Sequence, residues 1–276
     1  MKVSIQGEKG SFHEVAARLF FRDETVEIVP CSTFDLTLMA VNEGKADYAA
    51  MAIENARSGS ILSNYTIIRE SGMKIIGEIN LRIRQNLMAL PGQSVEVIKE
   101  IRSHPIALQQ CMTYLSHLHG ITIIEADDTA GSARQISEEK MYGVATIASA
   151  SAAELYGLEI IAHGIETYKK NYTRFLIISE SKDARSDGNK VSICFSTGHQ
   201  PGSLAAVLVR LAELEINLSK IQSVPRLNGD WEYMFYADLE LKPDHDIGLI
   251  ENVLENFTTN LEVLGIYNKG EELHES

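Results

Sequence analysis

The chain has 276 residues, a formal net charge of −13, and 45% hydrophobic and 23% charged residues. This balance is typical of a globular protein, and the length predicts about two domains, each large enough to bury its own core. The negative charge argues against a nucleic-acid or membrane partner, because both bind to basic patches. An anionic ligand would have to be held by local positive groups.

Cysteine usage and the lack of long apolar runs indicate the compartment. Cys31, Cys111 and Cys194 lie far apart and form neither a CxxC pair nor a Cys/His cluster at metal-binding spacing. Such a sparse, odd number of cysteines is typical of free thiols in a reducing compartment, and we expect no metal site. The amino-terminal segment has no signal-peptide core, and no run of 18 apolar residues occurs. We therefore expect a cytoplasmic protein.

Strands and helices alternate through the first part of the chain. Apolar residues at helical spacing predict a helix beginning at Phe12, and a second helix is predicted at residues 33–42. The predicted strands are residues 3–5, 26–29, 48–53, 87–90, 100–104, 122–125 and 143–147. This alternation is typical of an α/β fold, for which we expect largely parallel sheets with ligands at the carboxyl ends of the strands.

The pattern changes after a polar linker at residues 180–189. A βαββαβ order follows, which predicts a ferredoxin-like unit of about 80 residues. Its predicted elements are strand 191–195, a helix around 204–211, strands 217–224 and 231–239 joined by a turn at 227–230, helix 247–257 and strand 261–267. We expect the tail, residues 270–276, to be frayed.

Two segments of the first domain could bind an anion through backbone N–H groups. In residues 7–12, Ser11 stands at a helix start, where it is either part of an anion site or a plain N-cap. Residues 52–60 leave a buried strand, and there Asn55 could donate to a carboxylate or hydroxyl while Gly59 and Ser60 supply N–H groups. A turn with all its polar groups satisfied is the alternative.

Two further segments carry polar groups that suit a cleft. Residues 103–111 include His104 and Gln110, although a lone histidine is more often structural, and Cys111 is predicted to be a small buried residue. In residues 171–175, Arg174 opens an otherwise apolar strand and needs an anion. That anion is either a ligand or the partner in a structural ion pair.

Taken together, these segments resemble the prephenate dehydratase family. The similarity lies in six motifs in the family's order, at residues 7–17, 53–61, 103–111, 128–130, 152–158 and 171–175. The resemblance implies that residues 1–180 form a catalytic domain of two α/β lobes, like a type II periplasmic binding protein, with the active site in the cleft between them.

The resemblance also implies the reaction. Prephenate loses CO₂ and its ring hydroxyl together and gives phenylpyruvate, with no cofactor and no metal. The implied catalytic residues are Thr173, Arg174 and Phe175. Thr173 would stabilise the departing hydroxide, and Arg174 would clamp a carboxylate of the dianion. The implied substrate-binding residues are Ser11, Asn55, Gly59, Ser60, His104, Gln110 and Thr129.

Three residues depart from the family's pattern. Ala56 stands where the family has Ser, which removes a hydroxyl. Asp128 replaces Ser beside Thr129 and places a possible negative charge near a dianion, and His13 replaces a common Ser. None of these changes affects Thr173 or Arg174.

Residues 190–269 resemble an ACT domain, a small amino-acid-sensing module. The resemblance implies regulation by L-phenylalanine at a subunit interface. The implied effector residues are Pro201, Gly202, Ser203, Leu204, Asn217, Leu218, Gln222 and Ser223. Gln222 and Val224 replace charged residues of the family, so we expect weaker phenylalanine binding, and a module kept only for assembly is the alternative.

Two other functions remain open from the sequence. An arogenate dehydratase would act on the amino analogue of prephenate, and a non-catalytic amino-acid sensor would use the same cleft only for binding. The intact motif at residues 173–175 favours an enzyme. We expect a homodimer or a homotetramer.

Overall fold

The computed structural model describes residues 1–183, 186–225, 233–243 and 245–275. It divides into two compact units. The first contains Met1–Ile61, Ile79–Ile177 and the chain from Glu271, and the second contains Leu62–Glu78 and the described part of Ile178–Gly270. The turn predicted at residues 227–230 and the start of the strand predicted at 231 lie outside the described residues.

The elements alternate along the chain as the apolar pattern predicts. The strands are β1 (Lys2–Gln6), β2 (Glu27–Cys31), β3 (Tyr48–Asn55), β4 (Gly59–Ser60), β5 (Lys74–Arg82), β6 (Asn86–Ala89), β7 (Glu100–Ser103), β8 (Thr122–Glu125), β9 (Val144–Ala148), β10 (Glu159–Ala162), β11 (Tyr172–Ser179), β12 (Lys190–Ser196), β13 (Asn217–Pro225), β14 (Tyr233–Glu240), β15 (Thr259–Tyr267) and β16 (Glu272–His274). The α-helices are α1 (Phe12–Phe20), α2 (Phe34–Asn42), α3 (Leu62–Ser71), α4 (Pro105–Gln110), α5 (Met112–Leu115), α6 (Thr129–Glu138), α7 (Ala150–Tyr156), α8 (Ser203–Glu213) and α9 (Ile247–Glu255).

The first lobe is built on a sheet with the strand order β16-β5-β11-β3-β1-β2, and β4 pairs with β3. β1 pairs in parallel with both β2 and β3. Val3 and Ile5 on β1 are fully buried, which explains the short apolar run in the sequence. The core beside the cleft joins α1 to β5 and β11 through Val15, Leu81 and Phe175.

The second lobe has the strand order β10-β6-β9-β7-β8. β7 pairs in parallel with β8 and β9, whereas β6 is antiparallel to β9 and β10, so the expectation of a largely parallel sheet is corrected to a mixed one. Leu87 and Met88 belong to separate cores, because successive side chains of a strand point to opposite faces. Both faces of this sheet are therefore buried.

The chain crosses between the lobes twice, through residues 83–85 and 163–171. Each sheet contains one strand that the chain enters directly after a crossing. This strand is β11 in the first lobe, where it lies beside β3, and β6 in the second lobe, where it lies beside β9. The two lobes therefore share one strand order. This confirms the predicted two-lobed organisation of the type II binding-protein kind.

The second unit contains an antiparallel sheet with the order β13-β14-β12-β15. The helices α8 and α9 pack on it through a core that includes Val207, Leu211 and Leu254. The order β12-α8-β13-β14-α9-β15 confirms the predicted βαββαβ unit. This unit also includes α3, whose Tyr65 ring lies 5.2 Å from the ring of Tyr236. The division into units thus differs from a boundary between residues 180 and 190, because residues 62–78 belong with the ferredoxin-like sheet.

The tail does not have the frayed form predicted from its polar sequence. β16 pairs in parallel with β5, with Leu273 opposite Leu81. The carboxylate of Glu275 accepts hydrogen bonds from the backbone N–H groups of Ala150, at 3.0 Å, and Ser151, at 2.5 Å, at the start of α7. An edge strand offers unpaired backbone groups, and here the tail satisfies them. Among the described residues, no helix has the length and apolar character needed to cross a membrane.

Candidate active site

A cavity of about 460 Å³ lies between the two lobes of the first unit. The first lobe contributes Gln6, Ser11, Phe12, His13, Ala52, Asn55, Ser58, Gly59, Ser60, Ile61, Thr173 and Phe175 to its lining. Ile83 and Gln85 come from a crossing segment, and the second lobe adds His104, Ile106, Ala107, Gln110, Asp127, Asp128 and Thr129. All the predicted substrate-binding residues are thus brought together in one cleft, and so are two of the three predicted catalytic residues.

The side-chain amide of Asn55 holds the hydroxyl of Thr173. Asn55 Nδ2 lies 2.9 Å from Thr173 Oγ1, 2.9 Å from Asn171 Oδ1 and 3.1 Å from the carbonyl oxygen of Tyr172. Its two N–H groups donate to these three acceptors, so one N–H is shared between two of them. In the described structure, the hydroxyl hydrogen of Thr173 has no acceptor of its own, although the residue is only 9% exposed. Thr173 can therefore donate into the cleft to an oxygen of a bound molecule.

A chain of amides continues from this pair across the cleft. Asn171 Nδ2 donates to Gln110 Oε1 at 2.9 Å, and Gln85 Nε2 donates to the same oxygen at 3.1 Å. Gln110 belongs to α4 of the second lobe, so this network connects both lobes beneath the cleft. Gln85 is a cleft residue that sequence reasoning missed, because it lies in a crossing segment that has no motif of its own.

Ser11 precedes α1 but does not act as a side-chain cap. Its Oγ is buried and has no hydrogen-bond partner among the described residues, and the side chain lines the cavity. The backbone N–H of Gly10 is instead satisfied by Glu14 Oε2 at 2.7 Å. Of the two interpretations weighed from the sequence, this geometry favours a ligand-binding hydroxyl, because burying an unsatisfied hydroxyl is costly.

Arg174 is the residue predicted to clamp a carboxylate. It is not among the residues that line the cleft, since it lies between Thr173 and Phe175 on β11 and its side chain points to the opposite face of the sheet. Arg174 is 6% exposed, and its Nη1 lies 3.7 Å from Glu54 Oε1. This contact supports the structural ion pair that the sequence left open, and the role of Arg174 as a clamp stays a prediction.

Phe175 and His13 form an aromatic corner of the cleft. Their ring centroids are 5.0 Å apart at an interplanar angle of 84°. His13 Nε2 accepts the backbone N–H of Ala52 at 3.3 Å. Burial lowers the pKa of His13 to about 4, so its ring is neutral near pH 7. This corner therefore contributes apolar surface and no positive charge.

Two helix starts form the wall from the second lobe. His104 is the N-cap of α4, where its Nδ1 accepts from the backbone N–H of Ile106 at 3.2 Å, and Asp128 is the N-cap of α6, where its Oδ1 accepts from Gly131. Burial raises the pKa of Asp128, and the hydrogen bond from Gly131 opposes that rise. Thr129 is the first residue of α6. The side chains of His104 and Asp128 in this wall thus accept backbone N–H groups at the starts of their helices, which have no partner within the helix.

Cys111 is fully buried in the core of the second lobe. Burial raises the pKa of its thiol to about 12, so the thiol is protonated at neutral pH. The prediction of a small buried residue is confirmed. Nucleophilic chemistry through this cysteine is excluded on the same ground.

A second cavity of about 280 Å³ adjoins the cleft and shares Ser58 and Gln110 with it. It is lined by Arg57, Ser58, Gln109, Gln110, Glu166, Thr167, Tyr168 and Asn171. Arg57 lies over the ring of Tyr168, with Cζ 3.6 Å from the ring centroid. No lysine or arginine is found among the described residues that line the larger cleft itself.

In the second unit, the predicted effector residues occupy two places. Pro201, Gly202, Ser203 and Leu204 lie at the start of α8, and Asn217, Leu218, Gln222 and Ser223 lie on the strand β13. Gly202 has φ = 86°, a left-handed conformation that suits glycine and leaves its backbone open. Asn217 Nδ2 donates to Glu240 Oε2 at 3.0 Å.

The fold and the cleft define a two-lobed α/β unit joined in sequence to a ferredoxin-like unit. The family model for prephenate dehydratase matches residues 3–183. The chain is 37% identical over 281 residues to arogenate dehydratase/prephenate dehydratase 2 of Arabidopsis thaliana, covering 97% of this chain and 72% of the relative. This chain belongs to the prephenate dehydratase family.

Two solved structures are similar over nearly the whole chain. Prephenate dehydratase from Arthrobacter aurescens, in complex with L-Phe, has a TM-score of 0.87 and 25% sequence identity and covers 98% of this chain and 90% of that one. GqqA, described as a novel type of quorum-quenching acylase, has a TM-score of 0.87 and 30% identity and covers 97% of both chains. The likeness therefore includes the second unit as well as the residues that the family model matches.

Proposed function

We propose that this chain is a prephenate dehydratase, a carbon–oxygen lyase that converts prephenate to phenylpyruvate in L-phenylalanine biosynthesis. The observation that carries the proposal is the hydroxyl of Thr173, which accepts from Asn55 at 2.9 Å and keeps its own hydrogen for the cleft. Family membership supplies the reaction class, and the cleft supplies groups that suit it.

The reaction breaks two bonds and makes the ring aromatic. The bond between the ring and its carboxylate breaks and releases CO₂, its electron pair enters the ring, and the ring hydroxyl departs on the other side. A hydrogen bond from Thr173 stabilises the negative charge that develops on the departing oxygen. One such preorganised donor is worth about 10²–10³ in rate. Aromatisation provides the driving force, so the residues at hand need only to orient the substrate and assist the leaving group.

The apolar part of the cleft favours loss of the ring carboxylate. Phe12, Phe175 and Ile83 line the cavity, and a carboxylate placed against such walls loses part of its hydration. The carboxylate charge disappears as CO₂ forms, so this environment disfavours the ground state more than the transition state. The amides of Asn55 and Gln110 and the hydroxyls of Ser11 and Thr129 remain available to orient the rest of the molecule.

The test is an assay of the purified full chain with prephenate, following the formation of phenylpyruvate. We expect turnover by the wild type without added metal or cofactor, and strongly reduced turnover by Thr173→Val. Arogenate is assayed in parallel, because the Arabidopsis relative carries the names of both activities. If kcat/KM is higher with arogenate than with prephenate, arogenate is the substrate and the chain is an arogenate dehydratase. Binding of prephenate without turnover would instead favour a non-catalytic sensor.

We also propose that residues 1–180 form the catalytic domain and that residues 190–269 form an ACT regulatory domain with L-phenylalanine as effector. The ferredoxin-like strand order supports this, and so does the open backbone at Gly202. The relative from Arthrobacter aurescens forms a complex with L-Phe. We further propose a cytoplasmic homodimer or homotetramer.

Calorimetric titration of the full chain with L-phenylalanine tests the effector proposal. We expect L-phenylalanine to bind the wild type and to lower its activity. Gly202→Val should lose this binding and keep the basal activity. No binding at millimolar phenylalanine would contradict it. Sedimentation with and without phenylalanine tests the oligomeric state.

A further inference from the structure

The proposed substrate carries two negative charges, yet the cleft provides no cation among its described lining residues. Asp127 and Asp128 add negative charge to the wall from the second lobe. Arg174, the cation indicated by the sequence, is buried beside Glu54 on the other face of its strand. A chain of net charge −13 also repels an anion at long range. A positive group at the cleft is therefore the missing part of the site.

Arg57 has the position and the freedom to fill this role. It lines the adjoining cavity, which shares Ser58 and Gln110 with the cleft, and within the described chain it makes no ion pair. The ring of Tyr168 holds its guanidinium by a cation–π contact at 3.6 Å. Such a contact orients a guanidinium and leaves its N–H groups free to donate.

The backbone of Arg57 is tied to the proposed catalytic pair. Asn55 Oδ1 accepts the backbone N–H groups of Arg57 and Ser58, each at 2.9 Å, while Asn55 Nδ2 holds Thr173. The same side chain therefore fixes the start of the Arg57 loop and the hydroxyl in the cleft. A substrate that reaches from Thr173 toward Ser58 has its far end directed to the cavity that contains Arg57.

The chemistry decides which carboxylate a cation should contact. A cation on the ring carboxylate would stabilise the ground state, because that charge is lost as CO₂ leaves, and it would slow the reaction. The side-chain carboxylate keeps its charge throughout and is present in the product. We propose that Arg57 binds this retained side-chain carboxylate, with Tyr168 positioning the guanidinium. This inference rests on the proposed function and adds a substrate-binding residue to it.

The experiment compares Arg57→Gln with Arg22→Gln, which removes one positive charge from another exposed position of the first lobe. For each full-length variant we measure kcat and KM with prephenate and, separately, the Kd of phenylpyruvate by calorimetry. Arg57→Gln should raise both KM and Kd by about ten- to a hundredfold, the range for losing a charge-assisted hydrogen bond, with little change in kcat. Arg22→Gln should match the wild type in kcat, KM and Kd.

The outcomes separate this inference from the proposed function. If the wild type turns over prephenate but Arg57→Gln leaves both KM and the Kd of phenylpyruvate within about twofold, the assignment of Arg57 is wrong and the proposed function stands. A fall in kcat with unchanged KM and Kd would also overturn it. If the wild type binds prephenate without turnover, the proposed function fails, and a loss of that binding in Arg57→Gln would still support the contact.

Discussion

Asn55 and Thr173 form a hydrogen bond whose direction determines what Thr173 can do. Because the amide nitrogen of Asn55 donates at 2.9 Å, the oxygen of Thr173 is an acceptor and its hydrogen is left for the cleft. Asn55 Oδ1 is already occupied by two backbone N–H groups, which fixes the orientation of the amide. Thr173 is therefore prepared as a donor before any substrate arrives.

Reversing this hydrogen bond should abolish most of the activity. In Asn55→Asp, a carboxylate replaces the amide donor, so the hydroxyl of Thr173 would donate to it and lose its role at the leaving oxygen. We expect kcat to fall by about 10²–10³, as in Thr173→Val, with a smaller change in KM. The double variant should be little worse than either single variant, because both remove the same interaction. Fully additive losses measured in this cycle would show that the two residues act independently.

The motif at residues 173–175 shows what the sequence could and could not predict. Adjacent residues on a strand point to opposite faces, so Thr173, Arg174 and Phe175 cannot all line one cleft. The period of two was readable in the sequence. The sequence could not show which of the two faces of β11 points to the cleft. The strand is buried on both sides, and its apolar residues do not alternate with polar ones.

Arg174 should contribute to stability, since its Nη1 lies 3.7 Å from Glu54 Oε1 and it is not among the residues that line the cleft. Arg174→Lys keeps the charge but loses the planar fork, and Arg174→Met leaves Glu54 without this partner. We expect the free energy of unfolding to fall by about 1–3 kcal/mol in Arg174→Met, less than for a fully buried pair because Glu54 is partly exposed. Urea unfolding gives this value, and KM should change little in either variant. A KM that rises tenfold in Arg174→Lys with unchanged stability would restore the clamp.

Asp128 should weaken binding of an anion in a way that depends on pH. Burial raises the pKa of this carboxyl, so the charge disappears at a higher pH than for an ordinary aspartate. Asp128→Asn removes the charge and keeps a residue suited to the N-cap, and we expect its KM for prephenate to be severalfold lower near pH 7. As pH falls through the pKa of Asp128, the wild type also becomes neutral there and the two KM values should converge. A ratio that stays constant with pH would contradict this account.

The raised pKa of Asp128 also affects the stability of the fold. Because the folded-state pKa of Asp128 is raised, its ionised form destabilises the fold above that pKa, and this cost disappears as pH falls through it. Asp128→Asn should therefore be more stable than the wild type at neutral pH, and this advantage should shrink in acid. Thermal unfolding at a series of pH values measures the difference.

The effect of His13 on stability has the opposite dependence on pH, because protonation of its buried ring destabilises the fold in acid. Its pKa is lowered by burial from 6.5 to about 4, so stability from the neutral ring is complete above pH 6.5 and is lost as pH falls toward 4. At about 1.4 kcal/mol per pKa unit, the loss is at most about 3.5 kcal/mol, and it is smaller because the half-buried ring borders the cleft. His13→Gln should reduce the slope of unfolding free energy against pH in this window. Equal slopes for the two proteins would show that His13 is protonated without cost.

The tail illustrates a different limit of sequence reasoning. The segment that contains Glu272, Leu273 and Glu275 is short and polar, with no period that would predict a strand. It becomes a strand only because β5 presents an edge beside it. Pairing of this kind is decided by tertiary structure, and no local propensity reveals it.

Glu275 should stabilise the wall of the cleft from a distance. Its carboxylate caps α7 through Ala150 and Ser151, and Ser149 at the same helix start donates to the carbonyl oxygen of Gly10, next to Ser11 in the cleft. A Cβ at Gly10 would lie 2.9 Å from Cα of Ala152, so the loop packs directly on α7. Glu275→Ala removes the cap and should cost about 1 kcal/mol, with faster amide exchange across residues 150–156.

The matched control for this prediction is Glu272→Ala, which changes an exposed glutamate of the same tail, at the start of β16. It removes one negative charge from the tail and leaves the α7 cap intact, so exchange at α7 should remain at the wild-type rate. Because the cap supports the loop that carries Ser11, Glu275→Ala should also raise KM for prephenate modestly while kcat stays near the wild-type value. If both variants accelerate exchange equally, the tail acts through β16 pairing alone. If neither does, the hydrogen bonds of Glu275 do not stabilise α7, and the proposed link from the tail to the cleft is wrong.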